Sequence, residues 1–162
     1  MIVRPAEAED LLQVADFWNR IIRETTITFT TVLKTEADLA AMIAARRAAG
    51  REFFVVREGG AIGFATYDQF RAGPGYAHAM EHTILLPPEL RGRGAGRALM
   101  DRVEAHARAG GAHTLFAGVS GENAGGIAFH ARIGFDVSAR YPEAGRKFGR
   151  WLDLVLMMKK LG

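Results

Sequence analysis

Six consecutive residues, Arg91-Gly92-Arg93-Gly94-Ala95-Gly96, place three glycines and two arginines between a strand-like and a helix-like segment. Glycine lets the backbone approach a ligand with no Cβ in the way. At a helix start, free N–H groups and the helix dipole both favour an anion. Arg91, Arg93 and Arg97 add positive charge, so the chemistry offered is that of holding a pyrophosphate. A dinucleotide fingerprint would need a glycine where Arg97 stands, and a P-loop would need Gly-Lys-Ser/Thr, which is absent. The same residues also read as a solvated basic turn before an ordinary helix.

Other candidates lie just upstream. Glu81 stands on an expected strand, with His78 and His82 close in sequence. Two histidines and a carboxylate are zinc-type ligands, but these flank a strand entry and share no helix face, so no metal is expected. Glu81 reads as a proton acceptor or as a surface carboxylate paired with a base such as Arg71. His130 reads as a packing histidine or as a proton donor. Arg150, in the run Lys147-Phe148-Gly149-Arg150-Trp151, reads as an anion-binding group or as part of a subunit interface. The chain has no cysteine, which excludes disulfides, thiolate metal sites and a cysteine nucleophile.

The elements that must position these residues follow from periodicity. Ile2–Arg4 reads as an edge strand ended by Pro5. Leu11, Leu12, Val14, Ala15, Trp18, Ile21 and Ile22 recur at helical spacing. The Thr-rich run from Thr25 to Thr31 predicts a loop. Thr35-Glu36-Ala37-Asp38 has a capping pattern that opens a second helix, stopped by Gly50. Phe53–Val56 and Ala61–Tyr67, separated by Gly59-Gly60, predict a hairpin. Arg71–Gly75 reads as a loop and Met80–Leu86 as a strand stopped by Pro87-Pro88. A helix over Gly94–Ala109, a strand over Thr114–Val119 and a helix over Asn123–Ile133 follow. Phe135–Ala139 and Trp151–Met158 are the last strands. The order predicts one α+β (mixed α/β) domain over residues 1–162, with helices on the faces of a sheet.

Composition sets the outer bounds. The 162 residues are 49% hydrophobic and 24% charged, with a formal net charge of +3. That is globular rather than disordered. Basic residues are scattered outside Arg91–Arg97 and Lys147–Arg150, so nucleic acid is not an expected partner. No apolar run approaches the roughly 20 residues of a membrane helix, and no signal segment is visible after Met1. A cytoplasmic protein that does not engage membranes is the expectation.

Two motifs carry a resemblance. Arg91-x-x-Gly94-x-Gly96, after a strand ending in proline, resembles the acetyl-CoA loop of the GNAT acetyltransferase superfamily. Ile133-Gly134-Phe135, after a helix opened by Asn123, is similar to its closing motif. A closer resemblance, to the phosphinothricin acetyltransferase family, spans almost the whole chain. It rests on Tyr67-Asp68-Gln69-Phe70-Arg71, Gly75-Tyr76-Ala77-His78, Glu81-His82-Thr83 and Gly145-Arg146-Lys147-Phe148-Gly149-Arg150-Trp151-Leu152-Asp153-Leu154.

That resemblance implies a twisted, mostly antiparallel sheet with helices on both faces. It also implies acetyl transfer from acetyl-CoA to the amine of a small amino-acid-like molecule such as phosphinothricin, methionine sulfoximine or methionine sulfone. Thr83, Ile84 and Leu85 would offer backbone groups to acetyl-CoA, and Arg91, Gly92, Arg93, Gly94, Ala95 and Gly96 would hold its pyrophosphate. Asn123, His130 and Arg132 would flank the pantetheine and thiol end. Arg71, Ala72 and Gly73 would lie at the substrate, Glu81 would be the general base, and a homodimer would be the assembly. A peptide N-acetyltransferase and a non-catalytic CoA-binding module are the rival readings. The chain departs from the family in having Phe29 in a loop that often carries Trp, Ala72-Gly73 where Pro-Phe is common, and Gly125-Gly126 where Ala-Ser is common.

Overall fold

The computed structural model describes all 162 residues. Seven strands form one sheet: β1 (Ile2–Pro5), β2 (Phe53–Glu58), β3 (Ala61–Gln69), β4 (Ala79–Leu85), β5 (Thr114–Ser120), β6 (Asp136–Lys147) and β7 (Arg150–Lys160). Their order across the sheet is β1-β2-β3-β4-β5-β7-β6. Every neighbouring pair is antiparallel except β4 with β5.

The four helices are α1 (Leu11–Glu24), α2 (Glu36–Ala48), α3 (Ala95–Ala109) and α4 (Ala124–Arg132). In α1 the buried positions are Val14, Ala15, Phe17, Trp18, Ile21 and Ile22, a helical stripe that packs on Phe53, Val55 and Phe64 of β2 and β3. Thr25 ends α1 by turning extended, and its hydroxyl donates to the Ile21 carbonyl. The expected capping box opens α2: Asp38 N–H donates to Thr35 Oγ1, and Thr35 N–H donates to the Asp38 carboxylate. On the other face, Leu99, Met100, Val103 and Ala107 of α3 pack over Phe54, Val56, Ala65 and Leu115. The sheet is therefore sandwiched between two apolar layers, as the element order implied.

The main departure from the sequence reading is β6. It continues from Ala139 to Lys147, with register shifts between Val137 and Ala139 and between Tyr141 and Gly145. Its side chains are mostly exposed, so no apolar alternation marks it. It tolerates Pro142 because it is an edge strand with one face of its ladder open. Pro5 is the last residue of the outermost strand β1, which ends there as expected. Ala8–Asp10 forms a 3₁₀ turn before α1 begins.

One feature of the sheet positions everything that follows. β4 and β5 pair only from Ala79/Thr114 to His82/Ala117. Beyond that point Thr83–Leu85 and Gly118–Ser120 diverge, and the edge of β4 facing β5 loses its strand partner.

Candidate active site

A cleft of about 480 Å³ opens at this divergence, between Ile84–Leu86, the turn before α3, and α4. The turn has the form its residues suggested. Gly92 and Gly94 sit at φ +70° and +84°, with nothing within 4 Å of where a Cβ would be. Such left-handed positions favour glycine. Gly96 is used differently, for close packing: a Cβ there would lie 2.9 Å from the Phe129 ring and 3.2 Å from Leu86. Arg91, Arg97 and Arg132 line the cleft, and none has a carboxylate within salt-bridge distance. Free cations, open glycine backbone and the unpaired N–H groups of the first turn of α3 fit a pyrophosphate-bearing ligand.

Not every residue of the turn joins in. Arg93 reaches back toward Glu58, 3.5 Å away, and Ala95 is fully buried in the core. Neither lines the cleft, whereas Arg91, Gly92, Gly94 and Gly96 do. Ile84, Leu85, Asn123, His130 and Arg132 also line it, and Thr83 instead faces the neighbouring cavity. Gly125, Gly126 and Phe129 line the cleft as well, and of these only Phe129 is absent from the sequence reading. Asn123 caps α4, its Oδ1 accepting from Gly126 N–H at 2.9 Å, and a Cβ at Gly126 would lie 2.5 Å from Asn123 Nδ2. The departure Gly125-Gly126 thus lets this cap close tightly beside the cleft.

A second cavity, of about 310 Å³, shares the wall formed by Ile84, Leu85, Asn123 and His130. Glu81 and Thr83 line one side, Gly118, Ser120 and Leu154 another, and Trp18, Ile27, Thr28 and Phe29 a third. A Cβ at Gly118 would lie 3.1 Å from Glu81 Oε2, so glycine there gives the carboxylate room to lie across β5. Glu81 makes no ion pair; its expected alternative partner Arg71 instead stacks on Tyr76 at 5.6 Å. Burial without a compensating cation pushes the Glu81 carboxyl up from its usual range. Phe29, from the loop after α1, is part of the third side.

Arg71, Ala72 and Gly73 line neither cavity. They follow β3 next to Phe70, which stacks on Phe116 at 4.1 Å. Phe116 is the register partner of Glu81, so this loop leaves the sheet one strand away from the carboxylate. The Arg71 guanidinium is exposed and has no carboxylate partner.

Between the two cavities lies a pair of buried histidines. His130 Nδ1 is 2.7 Å from the Gly126 carbonyl, and His130 Nε2 is 2.9 Å from His82 Nε2. A carbonyl only accepts, so His130 carries its proton on Nδ1 and its Nε2 accepts from His82 Nε2–H. That assignment leaves His82 Nδ1 buried without a partner. Burial, reinforced by His130, pushes His82 down to about 3, so both rings are neutral near pH 7. Both nitrogens of His130 are committed, which leaves none free for direct proton donation. His78 is elsewhere: its Nδ1 lies 2.8 Å from the Gly111 carbonyl. No group of three or more His, Asp or Glu side chains is placed to hold a metal ion, and no helix is long and apolar enough to cross a membrane.

Arg150 is also already engaged. Both its terminal nitrogens donate to Glu122, with NH2 at 2.9 Å from Oε1, and Thr26 Oγ1 donates to the same oxygen at 2.8 Å. The guanidinium and this hydroxyl hold the Glu122 carboxyl down at about 2.

Comparison with known proteins agrees with this geometry. The methionine sulfoximine/methionine sulfone acetyltransferase of Salmonella typhimurium is 32% identical over 162 residues, covering 99% of this chain and 95% of its own. The phosphinothricin N-acetyltransferase of Streptomyces coelicolor is 34% identical over 156 residues, covering 94% and 91%. A Salmonella typhimurium putative acetyltransferase solved with its cofactor acetyl-CoA superposes with a TM-score of 0.94 at 31% identity, over 99% of this chain and 94% of that one. The sequence pattern of the Acetyltransferase (GNAT) family matches residues 16–135. The strand divergence, the glycine-rich turn and these matches over nearly the full length agree: the chain belongs to the GNAT acetyltransferase family.

Proposed function

We propose that this chain transfers the acetyl group of acetyl-CoA to the amine of a small amino-acid-like acceptor, with Glu81 as general base. One observation carries the reading. A cleft suited to an anionic, extended ligand and a smaller chamber holding an unpaired carboxylate share a wall where β4 and β5 part.

An alkyl ammonium titrates near 10 and must lose a proton before it attacks. Glu81 faces the chamber, and its raised pKa brings it nearer to that of the proton it must take. The amine nitrogen then attacks the thioester carbon while unpaired backbone N–H groups on β4 beyond His82 hold the developing oxyanion. Collapse breaks the C–S bond. The thiolate, with an intrinsic pKa of about 8.5, needs little acid assistance. His82 and His130 remain neutral and wall off the interior behind the reacting atoms.

Arg71, on the loop that leaves the sheet one strand from Glu81 and outside both cavities, is the proposed group for an acceptor whose oxyanion-like end reaches beyond the chamber. Its fork is free, and Arg can engage two oxygens at once. The names of the relatives point to the acceptor class of methionine sulfone, methionine sulfoximine and phosphinothricin. A homodimer belongs to the same reading. It is supported by the face of β5, β7 and β6 that α1 and α2 leave without a helix, where Tyr141 is exposed.

The test is an acceptor screen with acetyl-CoA, following release of free thiol. Methionine sulfone, methionine sulfoximine and phosphinothricin should turn over faster than polyamines, aminoglycosides or peptides. Faster turnover of a peptide or a polyamine than of every amino-acid analogue would overturn the acceptor class.

A further inference from the structure

The loop between α1 and α2 brings Ile27, Thr28 and Phe29 to the chamber that holds Glu81. From Thr26 to Lys34 it makes no backbone–backbone hydrogen bond. Such a stretch has no ladder to fix its shape, and fixing each residue's backbone costs about 1–2 kcal/mol of conformational entropy. Something else must set where Phe29 stands.

Lys147 is placed to do so. It ends β6 and is only 2% exposed. Its Nζ donates to the Thr25 carbonyl at 2.6 Å and to the Thr28 carbonyl at 2.7 Å, across 122 and 119 residues of sequence. No carboxylate pairs with it, and burial lowers its pKa. A buried ammonium with no counter-ion is costly to keep, yet this one spends two of its three N–H groups on one loop. Two residues earlier, Gly145 removes an obstacle: a Cβ there would collide with the Phe29 ring at Cδ2. The hairpin of β6 and β7 therefore both tethers the loop and receives its aromatic ring. Lys147 does not line the chamber.

We infer that Lys147 is a positioning residue for the acceptor: it fixes the turn from Thr25 to Thr28 and so sets where Ile27, Thr28 and Phe29 stand over Glu81. This rests on the reading of that chamber as the acceptor site. It also gives a physical role to the sequence run around Lys147, which no general fold rule requires.

The experiment compares wild type with Lys147→Met, which keeps the stem and loses the donors, and with Lys147→Arg, which keeps charge and donors but changes their reach. The first readout needs no ligand: chymotryptic cleavage after Phe29 should quicken in Lys147→Met. The second is kinetic. The KM for methionine sulfone should rise about tenfold in Lys147→Met and severalfold in Lys147→Arg, less than the roughly hundredfold effect that misplacing a reacting group by an ångström can have. The acetyl-CoA KM should stay within about twofold in both. Should Lys147→Met fail to fold, Lys147→Arg alone decides, by the same split between the two Michaelis constants. Equal changes in both constants, or an acceptor KM that does not move, would overturn the inference. Glu81→Gln measured alongside locates the failure. If that variant is inactive, the chamber reading stands and only the role of Lys147 falls; if it is fully active, the chamber itself was misassigned.

Discussion

The two ends of the site are built by opposite means. The proposed cofactor cleft takes most of its anion grip from one short stretch, Pro87 to Arg97, through backbone N–H groups, two left-handed glycines, Arg91 and Arg97, with Arg132 added from α4. The proposed acceptor chamber takes its shape from side chains that reach across the sheet: Lys147 to Thr25 and Thr28, and Arg150 through Glu122 to Thr26. A backbone grip reads the phosphate group that every acetyl-CoA carries and tolerates little variation. A chamber assembled from distant side chains changes whenever one of them changes. Under the proposed function, chemistry and acceptor choice are thus separable, with Glu81 at the seam.

The largest effect should come from that seam. Glu81→Gln keeps size and removes the proposed base, so kcat should fall about 10²-fold or more near neutral pH. Acetyl-CoA affinity by calorimetry should be unchanged, because Glu81 is not part of the cleft. The loss should shrink at high pH, where free amine is abundant. The wild-type profile follows from the sign of the shift. Burial raises the Glu81 pKa, so the carboxyl reprotonates, and kcat drops, at a pH above the ordinary carboxylate range as acid is added. The same raised pKa means that the charged form costs the folded state stability at neutral pH. Glu81→Gln should therefore melt no lower than wild type at pH 7 while being far less active. Wild-type turnover in this variant would move the base elsewhere and dissolve the seam.

The same contrast explains what the sequence made legible. The glycine-rich turn, the α2 capping box at Thr35 and Asp38, and the placement of Glu81 on β4 are local patterns, and local patterns survive in a string of letters. The second half of β6 was hidden because its residues from Tyr141 to Lys147 are mostly exposed, carry no apolar period and include Pro142. The Lys147 tether spans more than a hundred residues and ends on backbone carbonyls, which have no letter at all. The histidine pair was half visible. Both residues are plain as letters, but 48 positions separate them and only the fold brings their Nε2 atoms to 2.9 Å. Arg93 shows the limit of motif reading even at the legible end: it belongs to the pattern but points to Glu58.

The next effect in size belongs to the cleft. Gly96→Val should drive a side chain into the Phe129 ring and Leu86, and Gly94→Val should strain a left-handed residue by about 1–2 kcal/mol. Either should weaken acetyl-CoA binding about tenfold or more, equivalent to at least about 1.4 kcal/mol. The acceptor KM, extrapolated to saturating acetyl-CoA, should change little. A variant of Gly96 that raised the acceptor KM and spared acetyl-CoA would break the division between the two ends.

The smallest effect sharpens the comparison most finely. The sequence makes Arg150 a candidate for binding the acceptor's anionic group, but in the structure its fork is engaged by Glu122. The pair is solvent-exposed, with side chains 52% and 40% accessible, and exposed ion pairs are weak and screened by salt. Arg150→Lys should therefore raise the acceptor KM only about two- to threefold, since Lys147 still holds the loop. Were Arg150 the acceptor's own fork, losing it should cost tenfold or more for every oxyanion-bearing acceptor. Glu122→Gln separates the two roles. If Arg150 acts through Glu122 on Thr26, the double variant should be no worse than the poorer single variant. If Arg150 touches the acceptor, the two changes should multiply. The cycle is read in acceptor KM at low salt, and the effect of either single change should fade as salt is raised.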